Sequence, residues 1–545
     1  MILPTPVDLV PAAGRFTLTE RTTVRAEGEA AAVADLLRTL LRPATGLPLA
    51  PGADSTDDAD GADGTVVLTL DPAARDLGEE GYRLTVDPSR AVLLAARPAG
   101  LRHAVQTLRQ LLPPEALGGR PAPGTAWSLP AVRITDRPRH AWRGFMIDTA
   151  RHFQPVDRLL AAVDRIALHK LNVLHLHLTD DQGWRLPVDA YPRLTEVGSV
   201  RARSMVGRAG SPHYDDLPHG GAYTKAELRH LVAYAAERGV TVVPEIDMPG
   251  HTRAALAAYP HLGNHPERRL DVWTEWGVCE TVLGVHDEVL AFCRTVLDET
   301  MELFPSRYVH LGGDECPSTE WETAPAARAR AAELGLAAPA RLRGWFLGEV
   351  GRHLLAAGRT PVCWAEADGA TLPVEFTVMP WRDAEHGREA ARRGHDIVMA
   401  PHRATYLDYP RSDRPEEPLG QAGHVLDLPT AHAHRAAPAH WSDAERARVL
   451  GTQAQLWTEF VTTAEHFDRL AYPRLCALAD RAWNPDSDYA RDFLPALAAH
   501  RHRLAALGVQ GVLDGRDVLD GRDVLDGRGV LGGRGGLGAR SDVRC

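Results

Sequence analysis

Eight short apolar runs, set between longer amphipathic segments, occupy residues 138–485 and constrain the fold more than any other feature of the chain. The runs lie at 144–147, 173–178, 241–244, 308–311, 361–364, 376–379, 397–400 and 451–456. Helical periodicity fills most of the intervals, as at 155–170, 225–238, 286–303 and 340–357. A short continuous apolar run bounded by turn signals reads as a strand buried on both faces, the habit of a parallel sheet. Eight strand–helix alternations over roughly 350 residues predict an α/β fold, a (β/α)8 TIM barrel.

A barrel of this kind carries its functional side chains just after the strands. Asp148 and Arg151 follow the first run, and Asp180, Asp181 and Trp184 the second. Glu245, Asp247 and His251 follow the third, Asp314 and Glu315 the fourth. Trp364 ends the fifth and Trp381 follows the sixth. Tyr406 and Asp408 come after the seventh, Trp457 and Glu459 after the eighth. Packing alone does not explain polar or aromatic groups at all eight mouths.

The fourth mouth reads His310-Leu311-Gly312-Gly313-Asp314-Glu315. Carboxylates at the end of a buried strand cost desolvation energy and are tolerated mainly where they work. Two such neighbours can have separated pKa values, as acid-catalysed cleavage of a glycosidic bond requires. Read as an extension of the strand, Asp314 and Glu315 point to opposite faces, so they cannot serve one bond as acid and direct nucleophile. A Gly-Gly turn followed by a solvated acidic pair explains the same letters.

Trp364, Trp381 and Trp457 offer flat apolar faces at three mouths, a box suited to a pyranose ring, against the ordinary fate of core packing. Arg151 can grip paired hydroxyls with its fork of donors, or form a structural ion pair with Asp148 or Asp180. His175 and His177, two apart on one strand, point the same way and can ligate a metal; buried histidines bonded to nearby carboxylates are the preferred explanation.

Residues 1–137 read as a small α/β domain, with strands at 65–70, 82–86 and 91–96 and helical periodicity at 30–41 and 100–112. The Asp-rich stretch 51–64 reads as a surface loop. Residues 138–506 form the expected barrel domain. From 507 the chain passes into a Val-Leu-Asp-Gly-Arg-Asp hexapeptide repeat whose composition predicts a disordered tail. A net charge of -11 argues against a nucleic-acid surface, and no run is long enough to span a bilayer. Six cysteines without metal-ligand spacing, and an N-terminus without a basic, then apolar, segment, favour free thiols in a reducing cytoplasm.

With these residues assembled, the chain resembles the family-20 glycoside hydrolases, the β-N-acetylhexosaminidases. The likeness rests on 143–153, on 170–185 through Asp180-Asp181-Gln182-Gly183-Trp184, on Pro244-Glu245-Ile246-Asp247-Met248-Pro249-Gly250-His251, and on 310–315. It extends to the small N-terminal domain. The resemblance implies a barrel preceded by a small α+β domain, no metal or other cofactor, and an oligosaccharide substrate ending in N-acetylhexosamine. It also implies substrate-assisted retention. Glu315 would be the general acid and base, and Asp314 would orient the acetamido group. Tyr406 would bond the acetamido oxygen, and Arg151, Glu459 and Asp408 would hold hydroxyls. Trp364, Trp381 and Trp457 would wall the pocket, and Asp180 and His251 would support the acid. A metal-dependent barrel hydrolase using His175 and His177, and a carbohydrate-binding protein without turnover, remain as alternatives at this level.

Overall fold

The computed structural model describes residues 1–52, 64–365 and 372–511. Most of the Asp-rich loop and the hexapeptide repeat therefore lie outside the described residues.

The N-terminal domain is a seven-stranded mixed sheet with two helices packed on it. Its strands are β1 (Asp8–Thr17), β2 (Thr23–Ala26), β3 (Ala50–Pro51), β4 (Thr65–Leu70), β5 (Tyr82–Val86), β6 (Arg90–Ala95) and β7 (Ser128–Asp136), in the order β1-β7-β5-β6-β4-β2-β3. The first three pairings are antiparallel and the rest parallel. The helices are α1 (Ala30–Thr45) and α2 (Pro98–Leu111). Sequence reasoning missed β1 for a physical reason. It is an edge strand, exposed at nearly every position and irregular between Pro11 and Arg15, so it carries no apolar alternation.

The barrel closes through eight parallel strands: β8 (Trp142–Asp148), β9 (Val173–His177), β10 (Thr241–Glu245), β11 (Tyr308–His310), β12 (Thr360–Trp364), β13 (Thr377–Met379), β14 (Ile397–Met399) and β15 (Val449–Leu456). Each falls on one of the eight apolar runs, because a strand buried on both faces is largely apolar, its polar members being paired inside as His175 is with Gln453. Its helices include α3 (Val156–Leu168), α4 (Lys225–Glu237), α5 (Asp287–Leu303), α6 (Leu342–Ala356), α7 (Ala384–Arg392) and α8 (Arg474–Trp483), followed by the C-terminal α9 (Leu494–Ala506). No described helix is long and apolar enough to cross a membrane.

One buried carboxylate joins the domains. Asp136, at the end of β7, accepts from Trp483 Nε1 at 2.8 Å and Tyr82 Oη at 2.8 Å, and pairs with Lys170 Nζ at 2.7 Å. Trp483 itself packs into the N-terminal core. A buried ion pair holds only when its remaining valences are filled, and here they are.

The barrel domain extends past the expected boundary at 506. Val509 is buried, Gly508 accepts from Arg165 Nη2 at 3.1 Å, and Gln510 N donates to Asp468 Oδ2 at 2.9 Å. Residues 507–511 dock on the barrel rather than beginning a separate segment.

Candidate active site

The strand mouths converge on a cavity of about 610 Å³, within the range of small-molecule sites. Ten of the eleven site residues expected from the sequence line it: Arg151, Asp180, His251, Asp314, Glu315, Trp381, Tyr406, Asp408, Trp457 and Glu459. Trp364 is the exception. At 1 % exposure it stands behind the wall, its ring 6.0 Å from Trp457 and its Nε1 donating to Glu245 Oε1 at 2.7 Å. Its position as the last residue of β12 turns it into the barrel interior rather than onto the cavity surface.

The acidic pair is placed by a turn. β11 stops at His310, and Gly312, Gly313 and Glu315 all take positive φ, at 63°, 91° and 43°. The alternating-face argument for Asp314 and Glu315 therefore fails, since neither continues the strand. Both now face one cavity. Gly312 has no substitute here: a Cβ would lie 1.8 Å from Asp247 Oδ1. The same carboxylate accepts from Gly313 N at 3.0 Å and locks the turn. Left-handed backbone at a non-glycine residue such as Glu315 is strain held by its surroundings, common at working sites.

Behind Glu315 runs a chain of alternating charges. His251 Nε2 is 3.7 Å from Glu315 Oε2, and His251 Nδ1 is 3.1 Å from Asp180 Oδ1. Asp180 Oδ2 meets His177 Nε2 at 2.7 Å and Arg151 Nη2 at 2.8 Å. His177 Nδ1 meets Glu245 Oε2 at 2.6 Å. Burial alone would lower the histidine pKa values, but the carboxylates win: Asp180 holds His251, and Glu245 holds His177, well above the ordinary imidazole value. Burial raises the Glu315 carboxyl, yet the hydrogen bond and charge of His251, with Arg151 and Arg382, bring it below the ordinary value.

The other carboxyls are tuned oppositely. Burial first, then neighbouring Asp314, holds Asp247 well above the carboxylate range. Burial and Glu459 do the same to Asp408, and burial raises Glu459 against the pull of Arg151. Asp408 Oδ1, Glu459 Oε2 and Trp381 Nε1 are buried without a protein partner. Buried polar atoms of this kind call for a polar ligand. Trp381 and Tyr406 lie nearly parallel, at 15° and 6.5 Å between centroids, and Trp457 meets Tyr406 at 5.9 Å. Arg151 sits 5.0 Å over the Trp457 ring, is held by Gln182 Oε1 at 3.0 Å and forms the expected ion pairs with Asp148 and Asp180 while still lining the cavity.

The histidine pair follows the preferred explanation. His177 has a carboxylate on each nitrogen, while His175 accepts from Gln453 Nε2 at 2.9 Å and lies inside the barrel, away from the cavity. Sequence reasoning did not assign His177 or Asp247 to the supporting network, although both stand at the mouths it identified. It passed over Arg382 and Gln421, which reach the cavity from loops, and His402, which begins the short helix His402–Thr405; no local pattern marks them.

Comparison with known proteins adds an independent line. The model for "Glycosyl hydrolase family 20, catalytic domain" matches residues 140–486, and that for its domain 2 matches residues 1–137. A β-hexosaminidase of Porphyromonas gingivalis is 35% identical over 487 residues, covering 89% of this chain and 60% of that protein, so the chain spans less than two thirds of that relative's length. Among solved structures, the β-N-acetylhexosaminidase of Streptomyces coelicolor A3(2) superposes with a TM-score of 0.78 at 33% identity, covering 93% of this chain and 96% of that one. The exo-β-N-acetylglucosaminidase of Vibrio harveyi, solved with N-acetylglucosamine, gives 0.81 at 31% identity, with 94% and 77% coverage.

Proposed function

The chain belongs to glycosyl hydrolase family 20, and from that premise we propose that it is an exo-acting β-N-acetylhexosaminidase. It removes terminal β-linked GlcNAc or GalNAc from oligosaccharides by a retaining, substrate-assisted reaction. One observation carries the mechanism: Asp314 and Glu315 leave a single turn, instead of flanking the cavity as an enzyme nucleophile and its acid do. The remaining carboxyls are poor nucleophiles. Asp180 is tied in ion pairs, and Asp247, Asp408 and Glu459 are held towards their neutral forms.

In this reading the substrate's acetamido oxygen attacks the anomeric carbon as the leaving oxygen takes a proton from Glu315. An oxazolinium intermediate forms, and Glu315 then removes a proton from the water that opens it. Asp314 accepts from the acetamido N–H and stabilises the positive charge that grows there. The proton on Asp247 relieves the like charge against Asp314. Tyr406 donates to the acetamido oxygen. Arg151, Glu459 and Asp408 hold ring hydroxyls, which supply the partners that Glu459 Oε2 and Asp408 Oδ1 lack within the protein. Trp381 and Trp457 flank the sugar, and Trp364 buttresses Trp457 from behind.

The His251 imidazolium holds Glu315 below the ordinary carboxyl value, so in this reading the proton is stored one contact away, on His251. A bound sugar desolvates the pair and favours the neutral form, moving the proton from His251 Nε2 to the carboxyl. His251 keeps its Nδ1–H towards Asp180.

The reading is tested with aryl glycosides of GlcNAc and GalNAc beside their 2-hydroxy analogues, and with a thiazoline analogue of GlcNAc. Hydrolysis is expected only with the acetamido group present, and thiazoline should inhibit competitively and far more tightly than GlcNAc, since it copies the intermediate. Turnover of the 2-hydroxy glycosides at a comparable rate, with a trapped fluorosugar adduct, would show an enzyme nucleophile.

A further inference from the structure

Away from the active site, three metal-ligating side chains meet where the last helices of the barrel close on the first. His169 caps the C-terminus of α3, Cys476 lies on α8 and His500 on α9. Their exposures are 1 %, 0 % and 0 %. His169 Nε2 is 2.9 Å from His500 Nε2 and 3.3 Å from Cys476 Sγ, and the three ligand atoms lie within 4.8 Å of one another. A single point therefore lies within about 2.4 Å of all three, against metal–nitrogen and metal–sulfur bonds of about 2.0–2.3 Å.

Proton positions aim a lone pair of His169 at the other two side chains. His169 Nδ1 is 2.6 Å from the Arg165 carbonyl oxygen. A carbonyl only accepts, so Nδ1 carries the proton and Nε2 presents a lone pair. A backbone carbonyl on the distal nitrogen is how metal-binding imidazoles are oriented. His500 Nδ1 has no protein partner, so nothing fixes its tautomer. With its proton on Nε2, His500 donates to the His169 lone pair and the Cys476 thiol proton turns elsewhere. With its proton on Nδ1, two lone pairs face each other at 2.9 Å. A cation bound by all three atoms selects the second arrangement, with the His500 proton on Nδ1 and its Nε2 lone pair free to ligate.

The surroundings choose the ion. Both imidazoles are fully buried, and His169 spends its Nδ1 proton on the Arg165 carbonyl. Arg165, paired with Asp468 at 2.6 Å, and Arg503 lie beside the imidazoles and Asp480 lies beside Cys476, so ligand type and number decide. No fourth His, Cys, Asp or Glu joins the cluster among the described residues, whereas structural zinc is almost always four-coordinate. Soft sulfur with imidazole in a three-ligand set suits Cu(I).

We propose that His169, Cys476 and His500 form a three-coordinate Cu(I) site that staples the C-terminal helix to the first and last helices of the barrel. Loading releases the Cys476 thiol proton to solvent and leaves the His500 proton on Nδ1. Copper enters and remains as Cu(I), so no electron is transferred. The ligands are 307 and 331 residues apart in the pairs that include His169, which is why cysteine spacing does not show the site.

The test uses the full chain, reduced and stripped by chelator, then titrated anaerobically with Cu(I) against a chromophoric Cu(I) chelator, with Zn2+ in a parallel series. One equivalent of copper should be retained, with thiolate-to-copper ultraviolet absorption and a melting temperature raised by several degrees, as a ligand of the native state requires. Cys476→Ser should lose all three signals, and His500→Gln should weaken retention at least about tenfold, with circular dichroism showing both variants folded. Three results overturn the proposal: no retention by the folded wild type, copper held equally well by Cys476→Ser, or one equivalent of Zn2+ held while Cu(I) is lost to the competitor.

Discussion

His251 bridges two carboxylates of unlike fate: its Nδ1 is 3.1 Å from Asp180 Oδ1, buried in ion pairs, and its Nε2 is 3.7 Å from Glu315 Oε2, which opens on the cavity. Asp180 raises the imidazole pKa and the imidazolium lowers that of Glu315. In the proposed reaction the proton for leaving-group departure is therefore shared by the His251–Glu315 pair, with the histidine favoured until substrate binds.

That arrangement sets the pH profile. Because the histidine's pKa is raised, the pair keeps its proton to higher pH than an isolated carboxyl would. In His251→Asn the proton must sit on Glu315 itself. The basic limb of kcat/KM should then move down by at least about one pH unit, because it passes from a raised imidazole to a carboxyl. A limb unmoved while kcat falls would assign His251 to positioning alone.

Glu315→Gln should separate substrates by leaving group. Natural disaccharides, which need the proton, should lose about 10²–10⁴-fold in kcat/KM. Activated aryl glycosides should lose much less in the glycosylation step. Parallel losses across a leaving-group series would remove Glu315 from the acid role.

Gly312→Ala tests the turn. Its φ of 63° and the 1.8 Å approach to Asp247 Oδ1 leave no room for a methyl group. The backbone conformation alone costs about 1–2 kcal/mol, and displacing Asp247 also disturbs Asp314. Denaturant unfolding should show at least that loss, with turnover falling more steeply than stability. A variant of wild-type stability and rate would mean that the turn relaxes freely.

Two truncations probe the edge of the barrel. A chain ending at Ala506 lacks buried Val509 and the Arg165 and Asp468 contacts of residues 508–510. It should be less stable than a chain ending at Gly511 by about 1.5–3 kcal/mol, the worth of one buried aliphatic side chain with its hydrogen bonds. Equal melting temperatures would show that the docked segment adds nothing.

The eight barrel strands were legible because burial on both faces forces an apolar run, and a run is visible in one dimension. The mouths were legible for the same reason: the residue after each run is where a polar group is otherwise unwelcome, and Asp314, Glu315, Tyr406 and Glu459 stand there. Tertiary structure alone decided the rest. The positive φ of Gly312, Gly313 and Glu315 turned a presumed strand extension into a bend, because Asp247 of a neighbouring mouth occupies the space a side chain would take. Trp364 went behind the wall because Glu245, in the barrel interior, accepts its indole N–H. The exposed edge strand β1 left no pattern, having only one neighbour to satisfy. Which proton sits on which of His251, Glu315 and Asp247 depends on distances between residues from separate strands. Coulomb energy falls with separation in space, and sequence order does not encode that separation.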